Sequence, residues 1–235
     1  MITDQALDQG GLYRLMAWLS PSFPVGAFAY SHGIECAVER GLVRDRETLA
    51  AWVEGIVCLG AGGIDAVLFR ESWTAATAAD WEALDHVAAL GRAYRGSSET
   101  ALESAVQGGA FAGTVGAAWP DDDLSRWRAK VEADGDPLAY AVTVGAAAGR
   151  QGLPLALSLA AFLHAFAANL VSAGVRLIPL GQTDGQKIIA GLEGALAVAA
   201  EAGLARSLED IGASTPMVDW TSMRHETQYT RLFRS

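Results

Sequence analysis

Lysine is almost missing from this chain of 235 residues: Lys130 and Lys187 are the only two, and arginine supplies the remaining cations. Acids outnumber bases enough to give a formal net charge of −10, which repels a polyphosphate backbone and sets nucleic acid aside as a partner. Cysteine is equally scarce. Cys36 and Cys58 make neither a CxxC pair nor a disulfide framework, so the expectation is two small buried hydrophobes in a reducing, cytoplasmic setting. The N-terminus carries Asp4 and Asp8 where a signal peptide would have a basic segment leading into an apolar one. The usual devices of catalysis are also lacking, with no GxxxxGK[ST], no GxGxxG after a strand and no GxSxG elbow. His225-Glu226 opens like the zinc motif HExxH, but Tyr229 stands where the second histidine belongs.

Alanine and leucine are what the chain has in quantity. Hydrophobic residues make up 51% of it, with few of the β-branched and aromatic types that fill strands, so local propensity favours helix almost throughout. The expected fold is all-α: a single globular multi-helix domain with a central buried apolar helix, a body over 1–221 and a C-terminal tail over 222–235 that belongs to it. Leu12, Leu15, Met16 and Leu19 recur at helical spacing before the run SPSFPVG at 20–26 forces a shaped turn. A helix over about 27–40 is expected next, closed by Gly41. Asp45, Asp80 and either Ser97 or Ser98 read as N-caps of later helices, and Asp136-Pro137 as the cap and first turn of another.

The two most apolar segments, 137–150 and 154–176, are expected to pack as an antiparallel pair and form the core. Arg176, at the end of the second, is assigned to its last carbonyls or to a pair with Asp184. Pro179 and Gly181 end that helix, and Thr183 with Gln186 then reads as a capping box. On this basis Gln182, Thr183, Asp184 and Gln186 are structural, opening a helix that runs through Ile188 and Leu192 to about Gly203.

Between Arg150 and Arg176 lie 25 residues without a formal charge, long enough to cross a bilayer. Ser158, His164, Asn169 and Ser172 within it, and the lack of basic flanks, favour a buried helix, and a membrane-associated helical protein stands as the alternative. His86 and His164 lie in apolar helical patterns and read as core histidines. His32 and Cys36, four apart on the expected helix with Glu35 between them, are the candidate metal ligands, too few for a tight site. The tail is the electrostatic exception. Arg224, Arg231 and Arg234 against Glu226 give it +2, and wound as a helix it would set Arg224, Gln228 and Arg231 opposite Tyr229, Leu232 and Phe233. Such rings either fold back on their own body or insert into a partner.

Ser20, Pro21, Pro24, Val25, Gly26, Phe28, Ser31, Gly33 and Glu35, together with the stretches 169–186 and 223–235, resemble the UreF type of urease accessory protein. The likeness runs from about residue 12 to the C-terminus and departs mildly at Ile34, where leucine is expected. It implies an all-α, non-catalytic chaperone of the urease nickel metallocentre that binds UreD (also called UreH), recruits the GTPase UreG, and reaches apo-urease through that complex. A homodimer, control of the GTPase, and nickel passing through the complex rather than held by this chain are further implications. The residues carried over as partner-binding are Pro24, Gly26, Tyr30, Ser31 and Glu35 in the first block. In the tail they are Arg224, His225, Glu226, Tyr229, Arg231, Leu232, Phe233 and Arg234. Tyr229, Leu232 and Phe233 would be buried anchors, and the arginines would make forked bonds to a partner.

Overall fold

A computed structural model describes residues 7–235, and among these there are helices and turns but no strand. Twelve α-helices follow one another: α1 (Gln9–Trp18), α2 (Ile34–Glu39), α3 (Arg46–Leu59), α4 (Ala61–Thr77), α5 (Trp81–Ala93), α6 (Ser98–Ala118), α7 (Asp122–Ala133), α8 (Tyr140–Arg150), α9 (Leu155–Leu177), α10 (Gln182–Gly191), α11 (Glu193–Ala205) and α12 (Pro216–His225). The caps read from sequence form where the side chain competes best for the first-turn amides. Asp45 accepts from the Thr48 N–H at 2.9 Å, Asp80 from Ala83 at 3.0 Å and Ser97 from Thr100 at 3.1 Å. Gly41 takes the left-handed φ of 71° that ends α2.

The central buried helix is α4. An unbroken run from Gly62 to Phe69 is buried, and α3, α5, α8, α9 and α11 all pack around it. Its closest neighbour is α8, which corrects the expected pairing of the segments 137–150 and 154–176. Gly145 and Gly149 let the two backbones nearly touch: a Cβ on Gly145 would lie 2.4 Å from the Phe69 carbonyl oxygen, and one on Gly149 2.5 Å from that of Trp73. α9 instead buries one face, through Leu159, Phe162, Leu163, Leu170 and Val171. Its other face leaves Leu157, His164 and Ser172 exposed.

Other departures have local causes. Asp136-Pro137 lies in the turn before α8, which starts at Tyr140 behind Ala139. The capping box at Thr183 does not form: the helix begins at Gln182 behind Gly181 with no side-chain cap, so Thr183 and Gln186 are already inside it. The helix expected to reach Gly203 is two, α10 and α11, bent by 46° at Leu192. Arg70 reaches across from α4 to hold the freed carbonyls of Gly203, Leu204 and Arg206 at the end of α11. By length and apolarity two stretches could cross a membrane, Arg46–Thr77 and Leu155–Leu177, of which 67% and 44% are buried inside the domain. The first is α3 and α4, interrupted at Gly60.

Candidate functional site

The C-terminal tail is not helical. α12 stops at His225, and residues 226–235 run as turns and bends across α2 and α6. Three carboxylates receive them. Glu35 sits in the first turn of α2 and Glu99 in the first turn of α6, where the helix dipoles favour negative charge. Glu103 follows Glu99 one turn along the same face. All three are buried, which without partners would be costly.

Glu35 accepts the main-chain N–H groups of Leu232 at 2.6 Å and Phe233 at 2.9 Å. Its Oε2 also lies 3.1 Å from His225 Nε2. The opposite ring nitrogen, Nδ1, is 2.7 Å from Glu99, and the Arg231 guanidinium donates to the other oxygen of Glu99 at 2.8 Å. An ionised carboxylate only accepts and a neutral imidazole has one N–H. The His225 ring, fully buried, can therefore satisfy both acids only if the three groups share a further proton. The last residues continue the seam: Arg234 N–H donates to the Ala29 carbonyl at 2.8 Å, and Ser31 N–H to that of Ser235 at 2.8 Å. The Ser235 hydroxyl donates to Glu103 at 3.0 Å.

The platform beneath is as specific as the tail. The segment read as one helix over 27–40 is a 3-10 turn at Ala27–Ala29, then a reversal through His32 and Gly33, then α2. Gly33, at φ 78°, brings α2 against α12, since a Cβ there would stand 2.8 Å from the Ser222 amide nitrogen. The same reversal separates His32 from Cys36. His32 turns its ring edge toward Phe166 and its Nδ1 to 3.5 Å from Glu103, while Cys36 is packed in the core. Among the described residues no group of three or more His, Cys, Asp or Glu side chains is arranged to hold a metal ion. Burial pushes the thiols of Cys36 and Cys58 above the usual range, which lowers their thiolate fraction. Both should alkylate at least tenfold more slowly in the folded chain than after denaturation, as a mass-resolved labelling time course would show.

The predicted site residues divide into two sets. His225, Phe233, Ser31, Tyr30 and Glu35 are buried in the domain's own seam. Glu226 caps the start of α6 by accepting the Ser98 N–H at 3.0 Å. Phe233, expected as an anchor for a partner, lies against Arg176, whose guanidinium carbon is 4.3 Å from its ring and 3.6 Å from that of Phe28. Arg176 Nε–H reaches back one turn inside α9 to the Ser172 carbonyl at 3.3 Å and does not cover the last carbonyls. It does not pair with Asp184, which takes Lys187 instead. Burial pulls the Arg176 pKa down. The Tyr30 hydroxyl has no hydrogen-bond partner; burial raises its pKa, and the positive charge of Arg234 partly offsets that.

Tyr229 and Leu232, in contrast, project outward at 103% and 67% relative exposure, with Arg224 and Arg234 also exposed and Pro24 and Gly26 in the adjoining turn. His86 and His164, expected in the core, are exposed; His225, expected at a docking surface, is buried, and His32 is a packed histidine. Glu99, Glu103 and Gln107 were not singled out from sequence. Their signal was a polar stripe at spacing four along a helix otherwise rich in alanine and glycine.

Fold and seam together define an all-helical domain closed by its own tail, in which a buried acidic cluster grips main chain and an imidazole. Comparison with known proteins places it more narrowly. The sequence profile of the UreF family matches residues 43–193. The chain is 54% identical over 224 residues to the urease accessory protein UreF of Granulibacter bethesdensis, covering 95% of this chain and 94% of that one. It is 49% identical over 235 residues to the protein of that name from Mesorhizobium japonicum, covering the whole of both. With the Bradyrhizobium diazoefficiens UreF it shares 47% over 230 residues, 98% of this chain and 94% of the relative. The chain belongs to the UreF family.

Proposed function

We propose that this chain serves urease maturation in the cytoplasm as a non-catalytic chaperone, and that its seated tail is the surface on which an accessory partner docks. The partner is the UreD (UreH) type of protein, and the resulting pair recruits the UreG-type GTPase to apo-urease and modulates its turnover. Nickel is cargo of the complex rather than a resident metal. A homodimer would place two copies of each partner in one assembly.

One observation carries the docking surface. Two buried carboxylates, Glu35 and Glu99, hold the main chain and His225 in place, and that rigid frame leaves Tyr229 and Leu232 facing solvent. A fixed loop that displays an aromatic and an aliphatic side chain loses little ordering entropy when a partner covers it, and such side chains are the usual sources of interface energy. The exposed Arg224 and Arg234 beside them favour carboxylates on the partner.

The test is a double substitution, Tyr229→Ser with Leu232→Ser, followed by co-purification with the cognate UreD-like protein. Because both side chains are exposed, the melting temperature should stay within about 2 °C, while retention of the partner should fall at least tenfold. Undiminished retention would remove the tail from the interface. Truncation before Met223 is a poorer probe, since it strips the partners from Glu35, Glu99 and Glu103 and would damage the fold itself.

A further inference from the structure

A cavity of about 200 Å³ opens beside the seam, between the 20–28 turn, α6 and α9. Aromatic rings dominate its walls: Trp18, Phe23, Phe28, Tyr140 and Phe166. Trp18, Phe23, Tyr140 and Phe166 are held in place by edge-on and tilted packing on Phe111, Phe162 and His32, and Phe28 lies against Arg176. Its polar lining comprises Ser20, His164, Asn169 and Ser172 toward the exposed side and, deeper, Glu103 at 7% and Gln107 at 5% relative exposure, the last two joined by a Gln107 N–H donated to the Glu103 carboxylate at 3.1 Å.

The three carboxylates differ in their partners. Glu99 has Arg231 and His225, and Glu35 has His225 and two main-chain N–H groups. Among the described residues, Glu103 is paired with no arginine or lysine; its donors are Gln107 and the Ser235 hydroxyl, with the His32 ring at 3.5 Å. A buried carboxylate paired with no arginine or lysine, beside several aromatic side chains, matches a group that is positive, flat or compact, and carried on an apolar stem. Ring faces attract such a head through their quadrupoles, by about 2 kcal/mol or more once it is desolvated, and the carboxylate accepts its N–H groups.

We propose that this cavity binds an organic cation, a guanidinium or primary ammonium head on a short alkyl chain, with Glu103 as its counter-ion and Trp18, Tyr140 and Phe166 as its cage. Glu103 also accepts the Ser235 hydroxyl, so an occupant that draws this carboxylate into the cavity acts on the bond that ties down the last residue of the tail. The site is therefore placed to report on the seam.

Binding is testable on the isolated full-length chain, with no partner present. n-Butylguanidinium should bind, seen by titration calorimetry and by a change in tryptophan fluorescence. n-Butylurea, of nearly the same shape and without charge, should bind at least tenfold more weakly. Glu103→Gln should weaken butylguanidinium at least tenfold. Because that change could also disturb the tail, two controls separate the effects. Ser235→Ala removes the tail bond and should leave cation affinity within threefold. Ala168→Trp, a substitution at the cavity rim, should block binding while the melting temperature is kept. A capped Gly-Arg-Gly peptide distinguishes the source: binding of both probes assigns a side chain displayed on a polypeptide, and binding of the free cation alone assigns a small soluble amine. Equal affinity for butylurea and butylguanidinium, no binding of either cation, or undiminished binding to Glu103→Gln would overturn the proposal.

Discussion

Glu35→Ala is expected to release the C-terminal tail. The substitution leaves the Leu232 and Phe233 amides and one nitrogen of the buried His225 ring without their acceptor. Removing one member of a buried, charge-assisted network costs about 3–5 kcal/mol, because what remains is desolvated and unpaired. That is a large share of the 5–15 kcal/mol or so by which a domain is stable. The loss should be local, since the deprived groups lie in the last residues and in the α2–α12 contact rather than around α4. Amide exchange should therefore accelerate at Leu232 and Phe233 by a factor of about 10² or more, with little change in α4 and α8. Phe233 would leave Arg176, and trypsin would gain access after Arg231. Glu35→Gln is the informative companion. Its amide oxygen can still accept from the main chain, but its NH2 cannot accept from His225, so it should fall between wild type and alanine. A tail that stays protected in Glu35→Ala would show that the carboxylate does not hold it.

The second large effect concerns the centre of the fold. Gly145→Val should destabilise the whole domain by about 3 kcal/mol or more. Even the first added carbon would stand 2.4 Å from the Phe69 carbonyl oxygen and 2.4 Å from Ser72 Oγ, and the first of these is helix backbone that cannot rotate away. α4 and α8 would have to separate, exposing apolar surface at the best-buried contact in the molecule. A chemical denaturation curve should show the midpoint fall with an unchanged slope. Gly109→Ala on α6, where an added Cβ meets nothing within 4 Å, should by contrast be neutral or slightly stabilising through helix propensity.

The contrast between these two glycines shows where sequence patterns stop. The all-α class was legible because it rests on composition, and the caps at Asp45, Asp80 and Ser97 were legible because the capping oxygen and the N–H that donates to it lie three residues apart. Gly145 carries no such signal; in isolation it lowers helix propensity, and only the approach of α4 explains it. The chain order of the segments 137–150 and 154–176 suggested a hairpin, whereas volume complementarity gave α8 to α4. At Thr183 the local pattern was present but unused, because Gly181 had already supplied the helix start and the threonine fell two residues past it.

The site was half legible for the same reason. Tyr229, Leu232 and the tail arginines stood out by composition and by the family likeness. Their arrangement did not, because helical periodicity assumes that main-chain groups bond within the segment. Here the N–H of Leu232 is taken by a carboxylate 197 residues away. The family profile matches residues 43–193, a span that includes Glu99 and Glu103 within helices that looked generic when read alone.

The joining of Ser31 to Ser235, 204 residues apart, sets an order on biosynthesis. Residues 29–35 leave the ribosome early, yet the groups that neutralise and cover them follow about 200 residues later. Folding during translation can assemble α3 to α11 but must leave this edge open until residues 225–235 have emerged. A nascent chain stalled before residue 225 should therefore resist protease in its interior while remaining a client for chaperones at α2, and emergence of the seam residues is the event that closes it.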